Sequence, residues 1–181
     1  LALAKAKPGT VTMASPGAGT TNHLVSELLQ QITGATWLTV HYKGNAPATT
    51  DLLGGQVQAN FDQVSVALPY IRQGRVRALA ITMAKRFPSL PDVPTFEEAG
   101  VKGIEAATFT GVLAPVNTPR DIVDRLSAAI TQVLKEKPVM EKFDGLGAEA
   151  RGSTPAEFAT YLRKEYDTWA PIIRKANIKA D

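Results

Sequence analysis

Val11-Thr12-Met13-Ala14-Ser15-Pro16-Gly17-Ala18-Gly19-Thr20-Thr21-Asn22-His23-Leu24 is the stretch on which the reading of the fold turns. Val11 to Ala14 is short and β-prone, Ser15 to Thr21 is a small loop of glycines and hydroxyls, and a helical apolar pattern begins at Asn22. Strand, glycine loop and helix N-terminus together aim backbone N–H groups and the helix dipole at one point, where an anion fits. The loop lacks the lysine of a nucleotide phosphate loop. An anion smaller than a nucleotide, with a carboxylate first among candidates, therefore suits it better. A tight strand-to-helix turn with no ligand uses the same residues.

Upstream, Leu1 to Lys7 is helix-forming and stops at Pro8-Gly9. It has no N-cap and is too short to stand alone, so it reads as the end of a helix begun earlier, in a truncated chain. Downstream, Leu24, Leu28, Leu29 and Ile32 make one apolar face, and Gly34 supplies the C-terminal cap. Thr36 to His41 is β-prone, with Trp37 and Val40 as core contacts, and Tyr42-Lys43-Gly44 follows as a loop. Asn45 is a candidate cap for a helix with Pro47 in its first turn, running to Leu53. Val57 to Phe61 is the next strand, with Asp62 directly after it, and a helix over Val64 to Gln73 contains Pro69. Val76 to Thr82 is nearly all apolar and reads as a strand buried on both faces.

Phe87 to Pro94 is a proline-rich loop, and Thr95 with Glu98 forms a capping box for a short helix ending at Gly100. Ala106 to Pro115 is β-prone and is expected to cross between two lobes. Beyond it, Thr118-Pro119-Arg120-Asp121 and Thr154-Pro155-Ala156-Glu157 use the same helix-start device. The first helix carries Ile122, Leu126, Ile130 and Leu134 on one face; the second carries Phe158, Leu162 and Trp169, with a bend at Pro171. Ala148 to Ala150 is a candidate strand between them.

Alternating strands and helices predict an α/β fold with a mostly parallel sheet and right-handed crossovers. Ligands of such sheets lie beyond the carboxyl ends of the strands. Ser15 to Thr21, Tyr42 to Gly44, and Asp62 each follow a different strand, so all three are expected at one rim. There the amides and the hydroxyls of Ser15, Thr20 and Thr21 would meet an anion. The dipole adds about 0.3–1 kcal/mol, and each charge-assisted hydrogen bond about 1.5–3 kcal/mol. Lys43 offers a positive charge or is a surface group, and Tyr42 is a pocket wall or a core ring. Asp62 accepts from an amine, hydroxyl or water, or caps the next helix. His23 is expected to brace the loop.

The bulk composition closes several other routes. The 181 residues suit one domain or two small lobes, and 20 Lys and Arg against 17 Asp and Glu leave +3. The basic residues are scattered, which argues against nucleic acid. With no cysteine and two histidines there is neither a thiolate site nor a ready zinc site, and no metal or cofactor is expected. No apolar run is long enough to enter a bilayer as a helix. A hydrolase reading would draw Ser15, His23 and Asp62 as a triad, but Ser15 lacks the nucleophile-elbow pattern and His23 would reach backward, so no catalytic residue is assigned.

At these residues the sequence resembles the extracytoplasmic solute receptors of the tripartite tricarboxylate transporter family, the Bug or TctC-type proteins. The resemblance runs through Ser15 to Leu24, Tyr42-Lys43-Gly44-Asn45-Ala46-Pro47-Ala48, Asp51 to Val57, Phe61-Asp62, Arg77 to Ala80, and Leu90 to Thr95, and extends to Ile178-Lys179. It implies a type II periplasmic-binding-protein-like fold, with two lobes closing on a small carboxylate (di- or tricarboxylate, amino acid or aromatic acid). The receptor then hands the solute to membrane permease subunits, or as a sensor to a signalling partner. The ligand-holding residues it implies are Ser15, Gly17, Ala18, Gly19, Thr20 and Thr21 of the loop, with Asp62; the rim reading adds Tyr42 and Lys43 as candidates. Residues 1–105 would be most of the second lobe, and 106–181 the crossover and helical part of an incomplete first lobe. The family's first-lobe loop has no counterpart here, and a periplasmic location is implied.

Overall fold

The computed structural model describes residues 1–179. Three short strands form a parallel sheet in the order β2-β1-β3: β1 is Thr12–Ser15, β2 is Leu38–His41 and β3 is Ala59–Asn60. A terminal helix α1 (Ala2–Ala6) precedes them. α2 (Thr21–Thr33) connects β1 to β2, α3 (Asn45–Leu53) connects β2 to β3, and α4 (Val64–Arg72) follows β3. The chain leaves central β1 for one neighbour, then crosses back past it to the other. Crossovers between parallel strands are right-handed as a rule, and two of opposite direction place their helices on opposite faces of a sheet.

Small residues let these layers close. Ala14 on β1 meets Ala48 on α3 and Val57, with Val40, Tyr42 and Leu52 packed around them. α2 buries Leu24, Val25 and Leu29, whereas Ile32 of the expected stripe stays exposed. It is fixed to the start of β2 by Trp37, whose indole N–H donates to Ser26 Oγ at 2.9 Å and whose backbone N–H donates to Gln30 Oε1 at 3.0 Å. Gly34 ends α2 at φ 67, the left-handed cap its sequence predicts.

Several expected elements change. Val76 to Thr82 is not a buried strand: only Ile81 pairs, through a bridge to Thr95, and Leu79 is exposed. A run of apolar residues becomes a strand only with a ladder beside it, and residues 76–80 have none among those described. Thr82 instead exchanges hydrogen bonds with Ala106, whose N–H donates to Thr82 O at 3.1 Å. The stretches 106–115 and 148–150 form no strand. Thr95 and Glu98 make their reciprocal box, but around a turn rather than a helix. Gly44, at φ 108, caps α3 in place of Asn45, because the chain turns there with positive φ and Asn45 is already helical.

Contacts divide the chain into two compact units, Leu1–Thr108 with the residues from Pro171, and Phe109–Ala170. The second unit holds α5 (Arg120–Val133), α6 (Lys137–Gly145) and most of α7 (Pro155–Lys175). Pro171 lies inside α7, which continues through it. Within this unit the rings of Phe109, Phe158 and Tyr161 cluster, with Phe109 edge-on to Tyr161 at 5.0 Å. No helix is long and apolar enough to cross a membrane, among the described residues.

Candidate functional site

Parallel strands point their carboxyl ends the same way, so the segments after β1, β2 and β3 come out on one rim. Backbone hydrogen bonds tie them together there. Tyr42 N–H donates to Ser15 O at 2.8 Å and Gly44 N–H to Pro16 O at 2.8 Å, joining the second segment to the first. The Asn22 side-chain amide donates to Phe61 O, joining the third. The rim surrounds an open depression of about 470 Å³. Its lining comes from the β1 loop (Pro16, Gly19, Thr20), the first turn of α2 (Thr21, Asn22), the start of α3 (Gly44, Asn45), Gln63 after β3, and Thr108.

Three helices, α2, α3 and α4, start at this rim. The backbone N–H groups of Ala18, Thr21 and Asn22 have no protein acceptor among the described residues. First-turn amides of a helix lack intrahelical partners and carry the positive end of the dipole. Such amides beside an open depression can satisfy an anion without a cationic side chain.

The loop itself is held from behind. Ser15 is 1% exposed, and its hydroxyl donates to Gly17 O at 3.1 Å. Thr20 caps α2: its hydroxyl donates to Gly17 O at 2.8 Å and accepts from His23 N–H at 3.4 Å. His23 is 7% exposed, and its Nδ1 accepts from Gly19 N–H at 3.2 Å, which is the bracing its position suggests. Burial first, then the neighbouring His41 ring, hold the His23 imidazole below its ordinary value.

The nine sequence-named residues therefore separate. Gly19, Thr20 and Thr21 line the depression; Ser15, Gly17 and Ala18 are the same loop behind or beside them. The Tyr42 hydroxyl donates to Asp51 Oδ2 at 2.8 Å, so the ring joins β2 to α3. Lys43 is exposed and carries no ion pair among the described residues. Asp62 accepts from Gln63 N–H at 2.8 Å through one oxygen, and from Thr49 Oγ1 at 3.2 Å and Asn60 Nδ2 at 3.3 Å through the other. Burial raises its pKa, while the Gln63 and Thr49 donors pull it back. The drawn triad does not form: Ser15, His23 and Asp62 are each committed to other partners. Asn22, Asn45, Gln63 and Thr108 are additions from the structure. Asn22 and Gln63 stand beside residues already singled out, whereas nothing in the sequence around Thr108 marks it.

The profile of the "Tripartite tricarboxylate transporter family receptor" (TctC) matches residues 1–178. The chain belongs to this family. It is a family of solute-binding receptors rather than enzymes. The chain is 38% identical over 182 residues to the "UPF0065 protein in tcbD-tcbE intergenic region" of a Pseudomonas species, covering 100% of this chain and 54% of the relative. It is 37% identical to "Protein BugT" of Bordetella pertussis, covering 99% of this chain and 55% of that one. Among solved structures, Rpa4515 of R. palustris with adipate superposes at TM-score 0.90 with 34% identity, over 98% of this chain and 59% of that one. The periplasmic binding protein BugD gives 0.84 with 34% identity, over 99% and 61%. MatC of Rhodopseudomonas palustris with bound malate gives 0.81 with 29% identity, over 95% and 60%. These neighbours establish a periplasmic-binding-protein-like α/β fold, and the chain spans about half the length of the curated relatives it matches.

Proposed function

We propose that this chain carries the carboxylate-holding part of a periplasmic receptor, which captures a small carboxylate and delivers it to the permease subunits of a tripartite tricarboxylate transporter. Residues 1–105 are assigned to the second lobe, and those from 106 onward to the crossover and the helical contribution to the first. The observation that carries the reading is the set of unpartnered amides at Ala18, Thr21 and Asn22, beside the depression where three strand-end segments meet. Relatives solved with adipate and with malate are consistent with an acid of that size.

Ser15 to Thr21 form the loop that takes the carboxylate: the Ala18 and Thr21 N–H groups are its backbone donors, the Thr20 and Thr21 hydroxyls stand beside them, and Gly17 and Gly19 shape the turn with their own N–H groups held by Ser15 Oγ and His23 Nδ1. Tyr42 and Lys43 belong to the second rim segment and Asp62 to the third; in this reading Asp62 sets the rim's shape through Thr49 and Gln63. Calorimetry of the chain against adipate, malate, succinate, aspartate and benzoate tests the proposal. Heat from at least one acid, lost in a Thr21→Pro variant that removes one of the amides, is the expected result. No heat from any acid, in this chain and in one extended to the length of its relatives, would sink the receptor reading.

A further inference from the structure

We propose that His23 is the positioning residue of the anion loop: its uncharged ring holds the Gly19 amide through Nδ1, and a proton on that nitrogen releases the turn. The proposal rests on reading Ser15 to Thr21 as the carboxylate loop. Gly19 sits at φ 74, and its N–H has one acceptor among the described residues, His23 Nδ1 at 3.2 Å. An imidazole nitrogen accepts only when it bears no proton. The bond therefore places the ring's single proton on Nε2. That nitrogen faces Glu27 Oε1 at 3.8 Å, one turn along α2. Glu27 Oε1 is itself held by Gln30 Nε2 at 2.9 Å. From β2, the His41 ring meets His23 edge-on at 4.6 Å.

Glu27 on its own helix and His41 on β2 are thus the titratable groups that face the ring. Burial and His41 oppose a charge there, as the lowered pKa of His23 records. If Nδ1 gains a proton, two donors point at one another and the Gly19 bond is lost. Gly19 lines the depression, and the unpartnered amides of Ala18 and Thr21 lie on either side of it. Losing the brace takes away their common aim. The sign follows from linkage: a histidine whose folded pKa is lowered binds more protons unfolded, so its contribution is whole above the ordinary value and is lost as pH falls through the lowered one.

Nitrogen NMR of the ligand-free chain from about pH 8 to about pH 5 tests this directly. The Nε2–H tautomer is expected at neutral pH. The Gly19 amide should shift with the midpoint of the His23 ring, and its solvent exchange should quicken by about tenfold beyond the ordinary pH trend. His23→Asn, which keeps an oxygen acceptor near the Nδ1 position, should hold exchange slow without the titration; His23→Leu should give fast exchange throughout. In parallel calorimetry with adipate, affinity should weaken by about tenfold as His23 protonates, beyond the change that His23→Asn shows. A Gly19 amide indifferent to the ring, an Nδ1–H tautomer, or adipate binding that tightens on His23 protonation would overturn the proposal. If the amide follows the ring but no acid binds at any pH, the carboxylate reading falls and the brace stands.

Discussion

Asp62 shows how a single rim residue answers to two opposing demands. Its partly buried carboxylate prefers the proton, yet three donors favour the charge, and burial is the larger effect. A carboxyl whose pKa is raised on folding binds more protons in the folded state, so stability from this group falls as pH rises from the ordinary value of 3.8 through the raised one. Asp62→Asn should abolish that downward slope. The introduced amide can keep an oxygen for Gln63 N–H and turn its nitrogen toward Thr49 and Asn60. Asn60 Oδ1, which is buried and unpartnered, becomes available to accept from it when the Asn60 amide flips. Urea melts of both proteins across about pH 3.5 to about pH 7 should therefore nearly agree at the acid end, where Asp62 is itself uncharged, and diverge toward neutral pH, with the variant the more stable. An unchanged slope would place the titration elsewhere. The glycine spacing and the hydroxyl-rich composition made the loop legible from sequence. The directions of the Ser15 and Tyr42 hydroxyls were not, because each is set by a partner, Gly17 O or Asp51, that only the folded chain supplies.

Among the elements, β1 with its loop and α2 is the segment in which local signals agree with one another. Thr20 is a good cap, the apolar spacing is helical and Gly34 closes the far end, so sequence and structure coincide to within a residue or two. Agreement is lost where an element depends on a neighbour. Val76 to Ala80 has strand composition without a ladder, and α6 begins at Lys137-Pro138 with a helix-start proline but no side-chain cap. The two matched helix starts also part ways: Thr154 and Glu157 close their reciprocal box, whereas Thr118 makes no side-chain cap bond and Pro119 precedes α5. The seam between α2 and β2 offers the sharpest test at this scale. Ser26 and Trp37 are both buried, and the Ser26 hydroxyl is the acceptor for the indole N–H. Ser26→Ala leaves a buried donor unmatched, at a cost of about 1–3 kcal/mol. The thermal midpoint should fall by about 2–4 °C for each kcal/mol lost. A midpoint that does not move would mean the indole is satisfied without α2.

For the molecule as a whole, burial is unevenly distributed. Every buried hydrophobic residue lies between Ala4 and Ala106, and the second unit contributes none among the described residues. Yet α5 has the amphipathic pattern of a helix that packs: Ile122, Leu126 and Ile130 of the expected face are joined by Val133, in place of Leu134, which caps the helix end. The four remain 43%, 52%, 37% and 47% exposed, and Val112 and Leu113 in the preceding segment are still more open. A sequence pattern records the face a helix is built to bury, not whether a partner is at hand, so this face was legible while its exposure was not. An exposed apolar helix face of this kind promotes self-association in water. The chain should therefore show a mass by light scattering that rises with concentration, with little relief from added salt, since the contact is apolar rather than ionic. Leu126→Gln combined with Ile130→Gln should lower that association while leaving the Gly19 and His23 resonances in place, because those residues belong to the other unit. A chain that stays monomeric at high concentration would show that this face is shielded in solution, and the double variant would then have no association to relieve.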